Sequence, residues 1–114
     1  MTETPGEGPP AADRPPPLSP EEVTETLRRC LTAGTVIPTK HFRDPKQQAE
    51  RNYTIQDAIN VLRWGEVSTE PPQWNGNAER WGYRVYGPDL EGDVLTVVVS
   101  IEPNRDQVWL VTAF

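Results

Sequence analysis

The sequence predicts a small α+β domain in which two to three N-terminal helices pack on one face of an antiparallel sheet of three to four strands. Three observations support this fold class. Residues 19–64 contain three helix-start signals. After Val67 the apolar side chains recur at every second position, which is the period of a strand. Short runs rich in proline, glycine and asparagine separate these strands.

The first helix is predicted by several signals that agree. Ser19 is a preferred N-cap, Pro20 suits the first turn, and Glu22 is placed to accept a hydrogen bond from the capping backbone. Gly34 is predicted to end this helix. Four apolar residues recur at helical spacing and predict the core face: Val23, Leu27, Cys30 and Leu31.

Two further helices are predicted between residues 44 and 64. Asp44 and Pro45 begin a short helix that reaches about residue 51 and lacks an apolar stripe, so we expect it on the surface. Thr54 and Asp57 can form a capping box for the next helix, which Gly65 ends. Its predicted core residues are Ile55, Ala58, Ile59 and Leu62. Residues 35–38 are predicted to form an extended connector or a short edge strand.

The second half of the chain is predicted to form strands joined by turns. Trp81, Tyr83 and Val85 alternate with arginines and a glycine, so the aromatic side chains share one face. The expected segments are a short strand at 66–69, a turn at 74–77, a strand at 80–86, a hairpin turn at 88–93, a central strand at 94–101, a turn at 103–106 and a last strand at 108–114.

The first 18 residues have a different composition from the rest. They contain six prolines and almost no apolar side chains, so they cannot bury enough surface to offset the entropy lost on ordering. We therefore predict a disordered proline-rich tail at residues 1–18 and a single domain at residues 19–114. Arg14, Pro17 and Pro20 have the spacing of a ligand for a proline-binding module, but a solvated linker is the interpretation that we prefer.

Composition also excludes several classes of function. The sequence has no basic leader followed by an apolar run and no apolar stretch long enough to span a bilayer, which predicts a soluble cytoplasmic protein with no membrane partner. One cysteine and one histidine give no cluster of metal ligands, so we expect neither a metal nor another cofactor.

The net charge of -6 conceals an asymmetry along the chain. Residues 28–63 carry seven cations and three anions, a balance of +4, whereas residues 64–114 carry three cations and eight anions, a balance of -5. The helical half could therefore present a positive field to an anion, and the sheet half an acidic surface to a protein.

Several short segments resemble a known family. They are His41-Phe42, Glu50-Arg51-Asn52, Gly65-Glu66-Val67 and Tyr83-Arg84-Val85. Over about residues 27–114 the chain resembles a widespread family of small bacterial domains of unknown function, usually grouped with the RelE-like and MqsR-like ribonuclease toxins of toxin-antitoxin systems. The resemblance implies a RelE-like or barnase-like fold, an antitoxin partner, and metal-independent RNA cleavage in which a ribose 2'-hydroxyl attacks the adjacent phosphate.

Four residues are candidates for such a site. His41 is the expected catalytic acid or base, because an imidazole takes and gives protons near neutral pH. Arg51 is the second catalytic candidate, as a clamp on the phosphate, and Arg43 and Arg84 are candidate substrate-binding cations. The alternatives are a histidine that binds a backbone carbonyl, arginines that pair with nearby acids, and a solvated strand face.

A second function of a different class also fits the sequence. The acidic half of the chain, or the loop between Trp74 and Trp81, could bind a protein without catalysis, and an open sheet edge could form a homodimer. The sequence therefore leaves three partners open: an RNA substrate, an antitoxin or other protein, and a second copy of the chain.

Overall fold

The structure is a computed structural model that describes residues 14–76 and 78–114, apart from the side chains of Arg51 and Pro103. Residues 1–13 of the predicted tail lie outside the described residues. The helices and strands occur in this order: α1 (Pro20–Thr32), β1 (Thr35–Pro38), α2 (Lys40–Arg43), α3 (Pro45–Arg51), α4 (Ile55–Trp64), β2 (Glu66–Val67), β3 (Gln73–Asn75), β4 (Arg80–Pro88), β5 (Val94–Glu102) and β6 (Gln107–Ala113).

The predicted α+β class is confirmed, but the sheet is larger than expected. Its strand order is β1-β6-β5-β4-β2, and β3 pairs with the start of β4. Strands β4, β5 and β6 form the predicted antiparallel meander, whereas β1 runs parallel to β6. The prediction of an antiparallel sheet with three to four strands was therefore wrong, because alternation identifies a strand without specifying its partner or its direction.

The helices and the sheet share one hydrophobic core. Tyr83 and Val85 of β4 lie on the face of the sheet that meets the helices, and Val97 and Val99 of β5 lie beside them. Buried side chains of the helices complete this core: Val23, Leu27 and Cys30 of α1, Phe42 of α2, and Ala58, Val61 and Leu62 of α4. The predicted apolar stripe of α1 therefore faces the sheet. In α4 the prediction is only partly right, because Ile59 is only partly buried and Val61, which was not predicted, is fully buried.

Both predicted capping boxes are present. Ser19 caps α1 with Glu22, and Thr54 caps α4 with Asp57. The Asp57 carboxylate also accepts a hydrogen bond of 3.0 Å from the backbone N–H of Leu90, which fastens the β4–β5 hairpin to the start of α4. Burial raises the pKa of Asp57, but hydrogen bonds from Leu90 and Thr54 outweigh it and leave that pKa below its usual value.

Helix α2 was not predicted from the sequence. Thr39 caps it by accepting a hydrogen bond from the N–H of Phe42, and the N–H of Thr39 binds the carbonyl of Leu110 in β6. Phe42 is fully buried and contacts the ring of Tyr53 at a centroid distance of 5.1 Å. The four-residue helix is therefore stabilised by tertiary contacts rather than by a local periodic pattern.

The chain between α4 and β4 differs from the prediction in two places. The expected strand at residues 66–69 is limited to Glu66 and Val67, and the expected turn at 74–77 begins later because residues 73–75 form β3. Strand β2 pairs with Val85 and β3 with Gly82, so residues 68–72 stand opposite only two residues of β4. Pro71 and Pro72 lack the N–H groups needed to continue a ladder, which accounts for this excursion.

Candidate functional site

The face of the sheet that points away from the helices, which we call the outer face, carries a cleft that also reaches Leu18 and Pro20 at the start of α1. The cleft has a volume of about 600 Å³. Its floor comes from three strands, with Arg84 of β4, Val98 of β5 and Thr112 of β6 in one row across the sheet. The pairing of β5 with β6 is irregular at this point, because β6 contains one extra residue, Val111. The next residue of β6, Thr112, pairs with Val98.

Residues 68–72 form one wall of this cleft. Glu70 extends from this wall to Arg84, with 3.2 Å between its Oε2 and the Nη1 of the guanidinium. The two side chains are 71% and 40% exposed, so water screens the ion pair and it contributes little stability. Arg84 therefore lies on the outer face, as the strand alternation predicted, with a carboxylate already beside it.

At one end of the cleft, the outer face exposes a row of large apolar side chains. Tyr86 pairs with Thr96 of β5, and Thr96 exchanges backbone hydrogen bonds with Phe114, so the three residues cross the sheet side by side. Tyr86 is 41% exposed, Phe114 55% and Val94, at the start of β5, 79%. We call Tyr86, Val94 and Phe114 the apolar row.

Acidic side chains stand next to the apolar row. The hairpin between β4 and β5 contains Asp89, Glu91 and Asp93, and the last two are exposed. Glu66 of β2 is exposed and pairs with Tyr86. This end of the outer face therefore combines apolar surface with a negative border.

The opposite end of the outer face is covered by a cation. The guanidinium of Arg80 lies 4.6 Å from the ring centroid of Trp109, and its Nε is 3.2 Å from Glu102. Stacking of this kind shields an aromatic ring that the alternation of β6 directs away from the core. The exposed apolar surface of the sheet is thus concentrated around the apolar row.

Some of the cations of the helical half form a separate group at α2 and α3. Lys40, His41 and Arg43 are exposed on α2, and Lys46 is exposed at the start of α3. Among the described residues, no ion pair includes Lys40, Arg43 or Lys46. We call Lys40, His41, Arg43 and Lys46 the basic corner.

The structure does not bring all four predicted site residues into one cleft. His41 follows edge strand β1, whereas Arg84 lies on β4, with β6 and β5 between these strands in the sheet order. His41 and Arg43 do not line the cleft that contains Arg84. The side chain of Arg51 lies outside the described residues, so its pairing with His41 stays a prediction.

Residues 14–18, which we call the N-terminal strap, make contacts with the sheet that were not predicted from the sequence. Trp81 donates a hydrogen bond of 2.7 Å from its Nε1 to the carbonyl of Pro15, and Tyr83 accepts one of 2.9 Å from the N–H of Leu18. The proline spacing noted in the sequence was a usable signal, as was the alternation of Trp81 with Tyr83. Burial raises the pKa of Tyr83, whose hydroxyl reaches the strap from within the core.

Two other kinds of site are absent from the described residues. Within residues 14–76 and 78–114, no group of three or more histidine, cysteine, aspartate or glutamate side chains could hold a metal ion. In the same part of the chain, no helix has both the length and the apolar character needed to cross a bilayer.

These features define a class of small α+β domain with a helical layer on one face of a mixed sheet and a cleft on the other. Residues 38–114 match the family described as "Domain of unknown function (DUF4258)". Because the match spans more than half of the chain, the protein belongs to this family. No curated protein and no solved structure matches the chain.

Proposed function

We propose that the protein is an interaction module whose outer face binds a partner protein that has an apolar centre and a basic border. The observation that carries this proposal is the apolar row, three large side chains of which the least exposed is 41% accessible. Clustered apolar surface of this kind costs solvation free energy unless a partner covers it.

The charge around the apolar row indicates the chemistry of the partner. Glu66, Glu91 and Asp93 are exposed at its border, and Arg84, the nearest cation of the cleft, already pairs with Glu70. Lysine or arginine side chains that flank an apolar segment would pair with these acids. A second copy of the same face would bring acid against acid, so we infer a different protein rather than a homodimer at this surface.

A pair of synthetic peptides tests this proposal. One is an amphipathic peptide with leucine on one face and lysine on the other, and its control has glutamate in place of every lysine. We expect the lysine peptide to bind at least about tenfold more tightly, with an affinity that falls as salt is added. We also expect the double variant Tyr86→Ser/Phe114→Ser to lose about tenfold or more of this affinity.

Trp64→Ser is the matched control for that experiment. Trp64 is 69% exposed at the end of α4, so its removal deletes a comparable apolar surface from the helical layer. The control should bind the lysine peptide as the wild type does. Equal affinity for both peptides, or full binding by the double variant, would contradict the proposal.

RNA cleavage is a second candidate function, and the basic corner is the observation that favours it. The corner has exposed cations close in sequence to the only histidine of the chain, and side chains of this charge bind phosphate. The resemblance to RelE-like and MqsR-like toxins supports the same candidate. In this proposal His41 accepts the proton of the attacking ribose 2'-hydroxyl and returns it to the departing 5'-oxygen as the phosphorus–oxygen bond to it breaks, while Arg43 and Arg51 bind the phosphate.

A cleavage assay without added divalent metal tests the second candidate. We expect wild-type protein to cut single-stranded RNA and His41→Ala to lower the rate by about 100-fold or more, the usual contribution of a general acid or base. Arg63→Ala, which removes an exposed cation from α4, is the control and should keep the wild-type rate. Intact RNA with the wild type, or equal rates with His41→Ala, would rule out this function.

A further inference from the structure

The N-terminal strap is held by three aromatic side chains, Trp74, Trp81 and Tyr83, which we call the aromatic cradle. Trp74 and Trp81 face each other across the β3–β4 pairing, with ring centroids 5.2 Å apart and planes at 72°. Tyr83 follows two positions after Trp81 on the same face of β4. Together they form an aromatic surface at the edge of the core.

The strap has a backbone conformation that its own sequence restricts. Its residues read Arg-Pro-Pro-Pro-Leu, and three of the five precede a proline. A residue before proline is excluded from the helical region and is driven towards the extended or polyproline II region, while each proline ring fixes φ near -65°. The strap therefore enters the cradle as a preorganised extended segment, which loses little entropy on binding.

The cradle contacts the groups of the strap that are typical of a proline-rich segment. A proline run has no spare N–H groups, so its carbonyls are what a partner can bind, and the indole of Trp81 donates to the carbonyl of Pro15 at 2.7 Å. Arg14 lies 5.4 Å from the ring centroid of Trp74, a cation–π contact. Tyr83 accepts from the N–H of Leu18, the first N–H after the prolines.

The strap covers the cradle loosely. Pro15, Pro16 and Pro17 are exposed, and a second cleft of about 230 Å³ remains between the strap and the cradle. A segment that buries little surface opens at low free energy, so another chain can displace it. Glu79 lines this second cleft and favours a cationic residue in whatever replaces the strap, whereas Glu102, which also lines it, is already paired with Arg80.

We propose that the aromatic cradle binds a proline-rich segment of a partner protein, one with a basic residue followed by consecutive prolines and then an apolar residue, and that the N-terminal strap competes for this surface from within the chain. The mode is the recognition of polyproline II segments by aromatic grooves. Phe114 of the apolar row lines the first cleft together with Trp74, Tyr83 and Leu18, but the proposal rests on the contacts of the strap and does not depend on the proposed function above. The chain's own strap defines the sequence chemistry of the ligand.

The full-length double variant Pro15→Gly/Pro16→Gly tests the competition, because it removes the restriction on the strap while keeping Arg14 and Leu18. The probe is a capped synthetic peptide with the sequence of residues 14–18. We expect the variant to bind this peptide at least about tenfold more tightly than the wild type, because the strap no longer occupies the cradle. The NMR resonance of the Trp81 indole N–H should shift on binding.

Three controls make the outcome decisive. Trp81→Phe, added to the double variant, keeps the ring but removes the donor, and it should lower the affinity by about tenfold. Trp109→Phe should leave the affinity unchanged, because the Nε1 of Trp109 is buried without a hydrogen-bond partner among the described residues. A peptide with glycine in place of the prolines should bind at least about tenfold more weakly.

Two results would overturn the proposal. Equal peptide affinity in the wild type and in Pro15→Gly/Pro16→Gly would show that the strap does not compete. Unchanged affinity on Trp81→Phe would show that the peptide binds elsewhere. Thermal unfolding of each variant establishes that it is folded, and Tyr83→Phe, which removes only the hydroxyl that accepts from Leu18, provides a second test of the cradle if Trp81→Phe fails to fold.

Discussion

Phe42→Ala should lower the free energy of unfolding by about 3–5 kcal/mol, the range observed when a buried phenylalanine is truncated. Phe42 has no exposed surface and contacts the ring of Tyr53 at 5.1 Å. It is also the buried residue of α2, so its loss removes the anchor that holds this four-residue helix against β6. Urea unfolding followed by tryptophan fluorescence gives the change in free energy.

Phe114→Ala is the matched control, because the chain has two phenylalanines in opposite environments. Phe114 is 55% exposed at the end of β6, and its removal should change stability by less than about 1 kcal/mol. Similar losses in the two variants would mean that Phe42 does not anchor α2 in the core. A large loss in Phe42→Ala alone would support the anchoring of α2 by this side chain.

Gly65→Ala should destabilise the fold by about 3 kcal/mol, since overpacking of this kind forces the backbone to move. A β-carbon at Gly65 would lie 2.5 Å from the carbonyl oxygens of both Tyr86 and Val61. Gly87 packs against the same point, where its own β-carbon would lie 2.5 Å from the α-carbon of Gly65. The end of α4 therefore crosses β4 at a distance that only glycine permits.

Gly82→Ala distinguishes this steric effect from a general cost of adding a methyl group. The nearest atom to a β-carbon at Gly82 is Cγ1 of Val98 at 3.3 Å, which belongs to a side chain that can turn away. We expect a loss below about 1 kcal/mol there, measured by the same urea titration. If Gly65→Ala were as mild as Gly82→Ala, the close crossing of α4 and β4 would not exist in solution.

The substitutions that should change the stability of the domain and those that should change its affinity for a partner lie at different residues. Phe42 and Gly65 lie where packing is tight, so their substitution changes stability. Tyr86 and Phe114 are exposed, so their substitution should change the affinity for a partner while the domain stays folded. This separation allows loss of binding to be distinguished from loss of structure.

The sequence by itself determined the helices that have local signals and the order of the central strands. Ser19 and Thr54 cap their helices as predicted, because a capping box is formed by residues three positions apart. Tyr83 and Val85 face the core because alternation along a strand is also a local property. The loss of N–H groups at Pro71 and Pro72 likewise marks a break in the ladder of hydrogen bonds.

Only the tertiary structure decided which distant segments meet. The parallel pairing of β1 with β6 and the burial of Phe42 bring together residues that are far apart in sequence. The same long-range packing keeps His41 away from the cleft that contains Arg84. The contact of the strap with Trp81 spans 66 positions. Such contacts depend on how the apolar faces of several elements close around one core, and no local pattern of residues encodes that closure.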